Sequence, residues 1–165
     1  MTRTALGLGS NLGDRVATMQ RAVASLSRRP DVSVVAVSAL YETDPVGGPV
    51  QDDFLNAVVV VETSLSPHAV LDLAHDLENE AHRVRDDRWG PRTLDVDVLA
   101  MDDLVVSDET LTLPHPRAHQ RAFVLVPWAD VDPDAVVAGG LTVAEQLAVV
   151  GHEGVRLSCR EWVTA

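Results

Sequence analysis

The pattern of hydrophobic and polar positions predicts four strands and two helices up to residue 101. Apolar or β-branched runs typical of strands occupy 4–8, 32–41, 54–62 and 94–101. Apolar residues recur every three or four positions after Asp14, as far as the Arg28-Arg29-Pro30 stop, and again after Ser66-Pro67. Asp and Ser are preferred helix N-caps, and Pro suits the first helical position, so both stretches predict helices.

The pattern after residue 101 predicts shorter elements. Residues 118–129 predict a helix with a break at Pro127, and Thr142-Val-Ala-Glu145 is a capping box for a helix that ends at Val150. The tail 155–163 either forms a marginal strand or simply packs down. No repeat or linker interrupts the 165 residues, so we predict one domain over 1–165. The β-α-β-β-α-β order predicts the α+β class, with a ferredoxin-like βαββαβ core and extra C-terminal helices.

Two polar stretches interrupt this pattern, and the second carries unusual chemistry. Residues 43–50 contain Pro and Gly and predict a flexible loop. The segment 83–92 holds four arginines around Gly90-Pro91. In the strand that follows, Asp95 and Asp97 alternate with apolar residues, and side chains two apart on a strand share a face. A carboxylate pair beside arginines suits Mg²⁺ and a polyphosphate.

Each half of this arrangement also has a simpler interpretation. Alternating aspartates on a strand are usually a solvated face, and mixed Arg and Asp are usually surface charge. Only their combination in one short segment favours a phosphate site.

The glycines of 7–13 are open to a second interpretation. Gly7, Gly9 and Gly13 resemble a dinucleotide fingerprint, but the spacing is one residue longer than G-x-G-x-x-G and no acidic partner follows. We favour a turn whose glycines let the backbone approach a ligand.

Composition excludes several classes of protein. The net charge of −12 argues against a nucleic-acid or anionic-membrane partner. All thirteen basic residues are arginine, which excludes a P-loop lysine, a Schiff base and a kinase-type lysine. The single Cys159 excludes an internal disulfide and a cysteine-based metal site. No segment resembles a signal peptide or membrane span, so we expect a cytoplasmic protein. We also expect the protein to be a monomer.

The ten residues Arg88-Trp-Gly-Pro-Arg-Thr-Leu-Asp-Val-Asp97 closely resemble the signature of the 6-hydroxymethyl-7,8-dihydropterin pyrophosphokinases. Gly9-Ser-Asn-Leu12 also resembles the start of these enzymes, and the resemblance extends from Leu6 to about Pro133. It implies Mg²⁺-dependent transfer of diphosphate from ATP to 6-hydroxymethyl-7,8-dihydropterin, giving AMP and the pterin diphosphate, in folate biosynthesis. The small-molecule partners it implies are ATP and a reduced pterin.

The resemblance also assigns roles to individual residues. Asp95 and Asp97 match the ligands of two Mg²⁺ ions, and Arg83 and Arg92 match arginines that reach the phosphates during catalysis. The residues that match ATP contacts are Glu78, Arg85, Arg88, Trp89, Thr112, His115 and Arg121. The residues that match pterin contacts are Thr43, Pro45, Phe54, Asn56 and Phe123. For Arg85 and Arg88 surface charge is the alternative, and for the two phenylalanines it is ordinary core packing.

Two other classes of function remain open on sequence alone. A nucleotidyl or glycosyl transferase also uses Asp-x-Asp metal sites, although the net charge and the few aromatic residues do not favour its acceptors. A ligand- or RNA-binding ferredoxin-like domain would show no Mg²⁺ dependence and would have no use for Asp95 and Asp97 together.

Overall fold

The computed structural model of the protein describes residues 1–44, 53–83 and 93–163, with only the backbone at 82 and 83. The strands of this described part are β1 (Thr2–Ser10), β2 (Val32–Val37), β3 (Leu40–Thr43), β4 (Phe54–Thr63), β5 (Asp95–Met101), β6 (Val106–Ser107), β7 (Thr112–Leu113) and β8 (Val155–Cys159). The helices are α1 (Arg15–Arg28), α2 (Pro67–Arg83), α3 (Ala122–Val131) and α4 (Val143–Val150). The structure is therefore a mixed α/β fold.

The main sheet has β1 and β4 at its centre. Its strand order is β5-β1-β4-β3-β8, and β2 also pairs with β4. Every neighbouring pair of strands is antiparallel. β2 pairs with the second half of β4 and β3 with the first half, so the two short strands lie end to end beside one long one. A separate two-stranded sheet is formed by β6 and β7.

The prediction of one strand over 32–41 was wrong, because the chain breaks at Ser38 and Ala39. The Ser38 hydroxyl accepts the backbone N–H of Val58 at 2.9 Å, and the Ser38 carbonyl accepts the indole N–H of Trp162 at 2.9 Å. The Ala39 N–H donates to a carboxylate oxygen of Asp130 at 3.3 Å. Side chains from distant segments thus satisfy backbone groups that a continuous strand would have paired.

The predicted helix over 118–129 differs from the structure in the position of its break. A short 3₁₀ turn covers Ala118–Gln120, and α3 then begins at Ala122 and continues past Pro127 to Val131. The break lies at Arg121, whose extended backbone joins the two pieces. Pro127 is buried inside α3. Because proline has no backbone N–H, it removes one helical hydrogen bond there, but it does not end the helix.

Helices cover both faces of the main sheet. α1 and α2 pack their apolar residues on the face that carries Leu6, Leu8, Val59 and Val61. α3 and α4 pack on the opposite face, where Trp128 is fully buried. The predicted N-caps of the first and last helices are confirmed, since Asp14 accepts from Ala17 N at 3.0 Å and the predicted capping box is formed. None of the helices in the described ranges has the length and apolar character needed to cross a bilayer.

The C-terminal tail forms a strand and then packs against the core. β8 pairs with β3 at the edge of the sheet, and Trp162 beyond it is buried. The Trp162 carbonyl accepts a hydrogen bond from the side chain of Gln20 at 2.7 Å. Both alternatives considered for the tail are therefore present in successive parts of it.

Candidate active site

A cleft of about 770 Å³ opens on the sheet face that α3 and α4 cover only in part. Its floor is made by β1, β3, β4 and β5, and its walls by the start of α3 and by the segment that leads from α4 into β8. Seven of the residues predicted to act in the site line it together: Thr43, Phe54, Asn56, Asp95, Asp97, Arg121 and Phe123.

The floor of the cleft is organised by strand register. Gly9 lies opposite Asn56 on β4 and opposite Asp95 on β5, so these three positions form one cross-strand row. Gly7 lies opposite Asp97 in the next row on the same face of the sheet. A Cβ atom at Gly9 would lie 2.9 Å from Oδ1 of Asn56, closer than the two atoms can approach. The glycines leave the floor open between the carboxylates and the amide, as expected of a backbone that a ligand approaches.

Asp95 and Asp97 stand exposed on the cleft face of β5, while Val96 between them is buried in the core. The backbone N–H of Val96 donates to Oε2 of Glu78 on α2 at 3.1 Å, which fixes β5 at the point between the two aspartates. The described residues contain no group of three or more His, Cys, Asp or Glu side chains able to hold a metal. A carboxylate pair nevertheless fits Mg²⁺, which is commonly bound by one or two carboxylates plus the phosphates of a substrate.

Asn56 is held rigidly at the other end of the floor. Its Nδ2 donates to Oγ1 of Thr43 at 2.7 Å, and both side chains are buried. That bond uses one of the two amide N–H donors, so the second N–H and the carbonyl oxygen of Asn56 are the groups with capacity for a ligand. A buried amide with a fixed orientation is suited to reading the edge of a flat heteroaromatic ring.

Two aromatic rings and a guanidinium line the same cleft. Phe54 and Phe123 are each half-buried, and the guanidinium of Arg121 lies 5.7 Å from the ring centroid of Phe123. Phe123 also packs against the hydrophobic cluster around Trp128. Their partial exposure to the cleft favours a role in stacking over the alternative of ordinary core packing.

Three of the predicted ATP contacts lie outside the residues that line the cleft, namely Glu78, Thr112 and His115. Thr112 is exposed on β7. The backbone N–H of His115 donates to the carbonyl of Leu99 on β5 at 2.8 Å, so His115 is attached next to the strand that carries the aspartates.

The pKa of His115 depends on charged residues that line the cleft. Burial lowers its pKa below the usual value; Asp97 opposes this shift, and the positive charges of Arg121 and Arg117 and the neighbouring His119 add to it. Nδ1 of His115 accepts two backbone N–H groups, at 3.1 and 3.2 Å. The neutral ring therefore carries its proton on Nε2, which can donate to a phosphate.

Comparisons with known proteins agree with this arrangement. The sequence profile of the 7,8-dihydro-6-hydroxymethylpterin-pyrophosphokinase (HPPK) family matches residues 5–133. The chain belongs to this family. It is therefore a pyrophosphokinase, and membership confirms the predicted transfer of diphosphate from ATP to a hydroxymethyldihydropterin in folate biosynthesis.

Curated relatives carry the same activity in their names. A 2-amino-4-hydroxy-6-hydroxymethyldihydropteridine pyrophosphokinase from Methylorubrum extorquens is 50% identical over 155 residues, which cover 94% of this chain and 98% of the relative. An enzyme of the same name from Bacillus subtilis is 47% identical over 126 residues, which cover 76% of this chain and 75% of the relative.

Solved structures support the fold. An HPPK-DHPS crystal structure from Plasmodium falciparum matches with a TM-score of 0.70 at 15% identity and covers 90% of this chain. This chain spans only 43% of that longer chain. The likeness is therefore evidence for the fold alone.

The predicted residues that remain lie outside the described part of the chain. They are Pro45, Arg85, Arg88, Trp89 and Arg92, together with the side chain of Arg83. Their assigned roles stay predictions from the HPPK signature.

Sequence reasoning missed the wall that the C-terminal segment contributes to the cleft. Val150, Glu153, Gly154 and Val155 line it, although they lie beyond residue 133, where the HPPK profile ends. The sequence feature that could have indicated a turn here is the pair Gly151 and Gly154. Both adopt positive φ in the structure and turn the chain from α4 into β8. Without the pairing of β8 with β3, nothing indicated that this turn faces the site.

Proposed function

We propose that the cleft holds Mg-ATP at its Asp95–Asp97 end and the pterin at its Asn56 end, and that diphosphate passes between them. The observation that carries this proposal is the row Asp95–Gly9–Asn56, in which a carboxylate and a buried amide share one open floor. A two-substrate transfer needs both reactants on one surface, because holding them in reacting geometry supplies a large part of the rate.

The chemical step follows from family membership and the site. The hydroxymethyl oxygen of the pterin attacks the β-phosphorus of ATP, forming a new O–P bond. The bond from the β-phosphorus to the oxygen that bridges it to the α-phosphorus breaks, AMP leaves with that oxygen, and the hydroxyl proton is lost. Such transfers depend on alignment and charge stabilisation rather than on covalent help from the protein.

The metal end of the site would be formed by Asp95 and Asp97. When bound, two Mg²⁺ ions would neutralise charge on the polyphosphate, in the manner of two-metal sites. The protein carries a net charge of −12, so an anionic nucleotide also needs local positive charge. Among the described residues that line the cleft, Arg121 supplies it. His115, which lies outside this lining and next to β5, would donate its Nε2 proton to a phosphate oxygen.

The pterin end would be formed by Asn56, Phe54 and Phe123. The two rings offer faces on which a flat heteroaromatic can stack, and the Asn56 amide offers a donor and an acceptor for its edge. Thr43 contributes by holding the amide of Asn56.

The fold and the setting of the enzyme belong to the same proposal. The order β5-β1-β4 followed by β2 and β3, with α1 and α2 on one face, supports a ferredoxin-like core in which β3 is a continuation of β2. A reaction that consumes ATP supports a cytoplasmic location.

Calorimetric titration with a non-hydrolysable ATP analogue tests the metal end of the site. We expect binding to weaken at least about tenfold when Mg²⁺ is replaced by a chelator, because the protein and the triphosphate are both anionic. Asp97→Asn is expected to reduce this difference. Asp103→Asn, which makes the same charge change outside the cleft, should preserve it. Equal affinity of the wild-type protein with and without Mg²⁺ would refute the metal assignment.

A further inference from the structure

We propose that Arg156 on β8 is a positioning residue for the pterin side of the cleft, because it holds the adjoining ends of β3 and β4 together. The inference rests on the proposed function for the identity of the ligand, and on the ion pairs described below for the mechanism.

The ends of β3 and β4 place two like charges side by side. Thr43 on β3 pairs with Phe54 on β4, so Asp44 and Asp53 are the next residues on either strand. Like charges directly opposite each other on neighbouring strands are destabilising. Without a counter-charge, these two carboxylates would push the strand ends apart.

Arg156 supplies that counter-charge to both aspartates. It lies opposite Glu42 in the β3–β8 register. Its Nη1 donates to Oδ1 of Asp44 at 2.9 Å, and its Nη2 donates to Oδ2 of Asp53 at 2.9 Å. The planar guanidinium fixes the spacing of the two nitrogens, so one side chain sets the distance between the two carboxylates.

Neighbouring contacts also stabilise the end of β3 and the start of β4. Nη1 of Arg15 donates to the backbone carbonyl of Asp53 at 2.7 Å and lies 3.7 Å from Oε1 of Glu42. The backbone N–H of Asp44 donates to the carbonyl of Gly154 at 3.0 Å. Arg15 thus contacts both strand ends as well, and Arg156 is the side chain that bridges the two aspartates.

The consequence for the site follows from chain position. Thr43 precedes Asp44, and Phe54 follows Asp53, and both side chains line the cleft. If the strand ends separate, the bond between Thr43 and Asn56 and the position of the Phe54 ring change together. The side chain of Arg156 is 50% exposed, and those of Asp44 and Asp53 are 59% and 35% exposed, so salt should weaken the effect.

The test compares Arg156→Ala and Arg156→Lys with the wild-type protein by calorimetric binding of 6-hydroxymethyl-7,8-dihydropterin and, separately, of the Mg-bound ATP analogue. Steady-state kinetics give kcat and both KM values. The matched control is Arg160→Ala, which removes the same charge just after β8. Circular dichroism and thermal melting check that each variant is folded.

We expect Arg156→Ala to raise the pterin Kd and KM by about three- to tenfold, with ATP-analogue binding and kcat within twofold of the wild type. Arg156→Lys should recover only part of the loss, because an ammonium group lacks the fork that reaches both carboxylates. About 500 mM salt should bring the wild-type protein toward the variant, while Arg160→Ala should behave as the wild type.

Three results would overturn the inference. They are unchanged pterin affinity in a folded Arg156→Ala protein, equal weakening of pterin and nucleotide binding, and full rescue by lysine. If the wild-type protein itself does not bind the pterin, the proposed function fails, and this inference fails with it. If the wild type binds the pterin and the variant binds it equally well, only this inference fails.

Discussion

Asp97→Asn is expected to lower kcat by about 10²-fold or more, because it removes a charge from the proposed metal end of the cleft while nearly preserving shape. Asp97 is exposed in the cleft and its neighbour Val96 is buried, so the substitution should leave the packing of β5 intact. The free energy of unfolding should therefore change by no more than about 0.5 kcal/mol. Steady-state kinetics at saturating ATP and pterin, combined with denaturant unfolding, measure both quantities.

Asp95→Asn should behave in the same way, and Asp103→Asn provides the comparison. Asp103 lies just after β5 and lines a different hollow, so its replacement changes the net charge equally without reaching the cleft. Near wild-type turnover in Asp95→Asn or Asp97→Asn, with unchanged Mg²⁺ dependence, would show that the carboxylate pair is only a solvated face.

Asn56→Leu is expected to raise the pterin Kd by about ten- to hundredfold, with little change in nucleotide binding. The leucine keeps the approximate size of the side chain but removes the amide that faces the cleft. A lost hydrogen bond to a buried group costs about 1–3 kcal/mol, and each 1.4 kcal/mol is about a factor of ten in affinity. Separate titrations of the pterin and of the Mg-bound ATP analogue measure this difference.

Thr63→Val controls for the general cost of losing a buried polar group on β4. Thr63 is fully buried at the other end of the strand, where its hydroxyl donates to the carbonyl of Asp31 at 2.6 Å. This variant should lose stability without losing pterin affinity. A similar loss of pterin affinity in both variants would mean that Asn56 supports the strand and does not contact the ligand.

Local pattern was sufficient to predict most elements and the two aspartates. The alternation of Asp95 and Asp97 with apolar residues assigns each to a face, because the period of a strand is two residues. The same rule puts Phe54 and Asn56 on one face of β4, and both line the cleft. What could not be predicted was the register between the strands, and hence that Asn56 and Asp95 flank Gly9.

The errors arose where distant residues decide local structure. Ser38 lies in a run rich in β-branched residues, yet Trp162 and Asp130 satisfy the backbone groups at the break. Pro127 does not end its helix, because α3 continues past it to Val131 within the buried core. The position of β8 could not be predicted for the same reason, since β8 joins the sheet only through its pairing with β3.

The most direct test of the central claim is the identity of the nucleotide product. The protein is incubated with Mg-ATP and 6-hydroxymethyl-7,8-dihydropterin, and nucleotides and pterins are quantified by chromatography and mass. The account predicts AMP and a diphosphorylated pterin in equal amounts, and no turnover with a pterin that lacks the hydroxymethyl group. ADP as the main product, with a monophosphorylated pterin, would contradict it, because the attack would then occur at the γ-phosphorus.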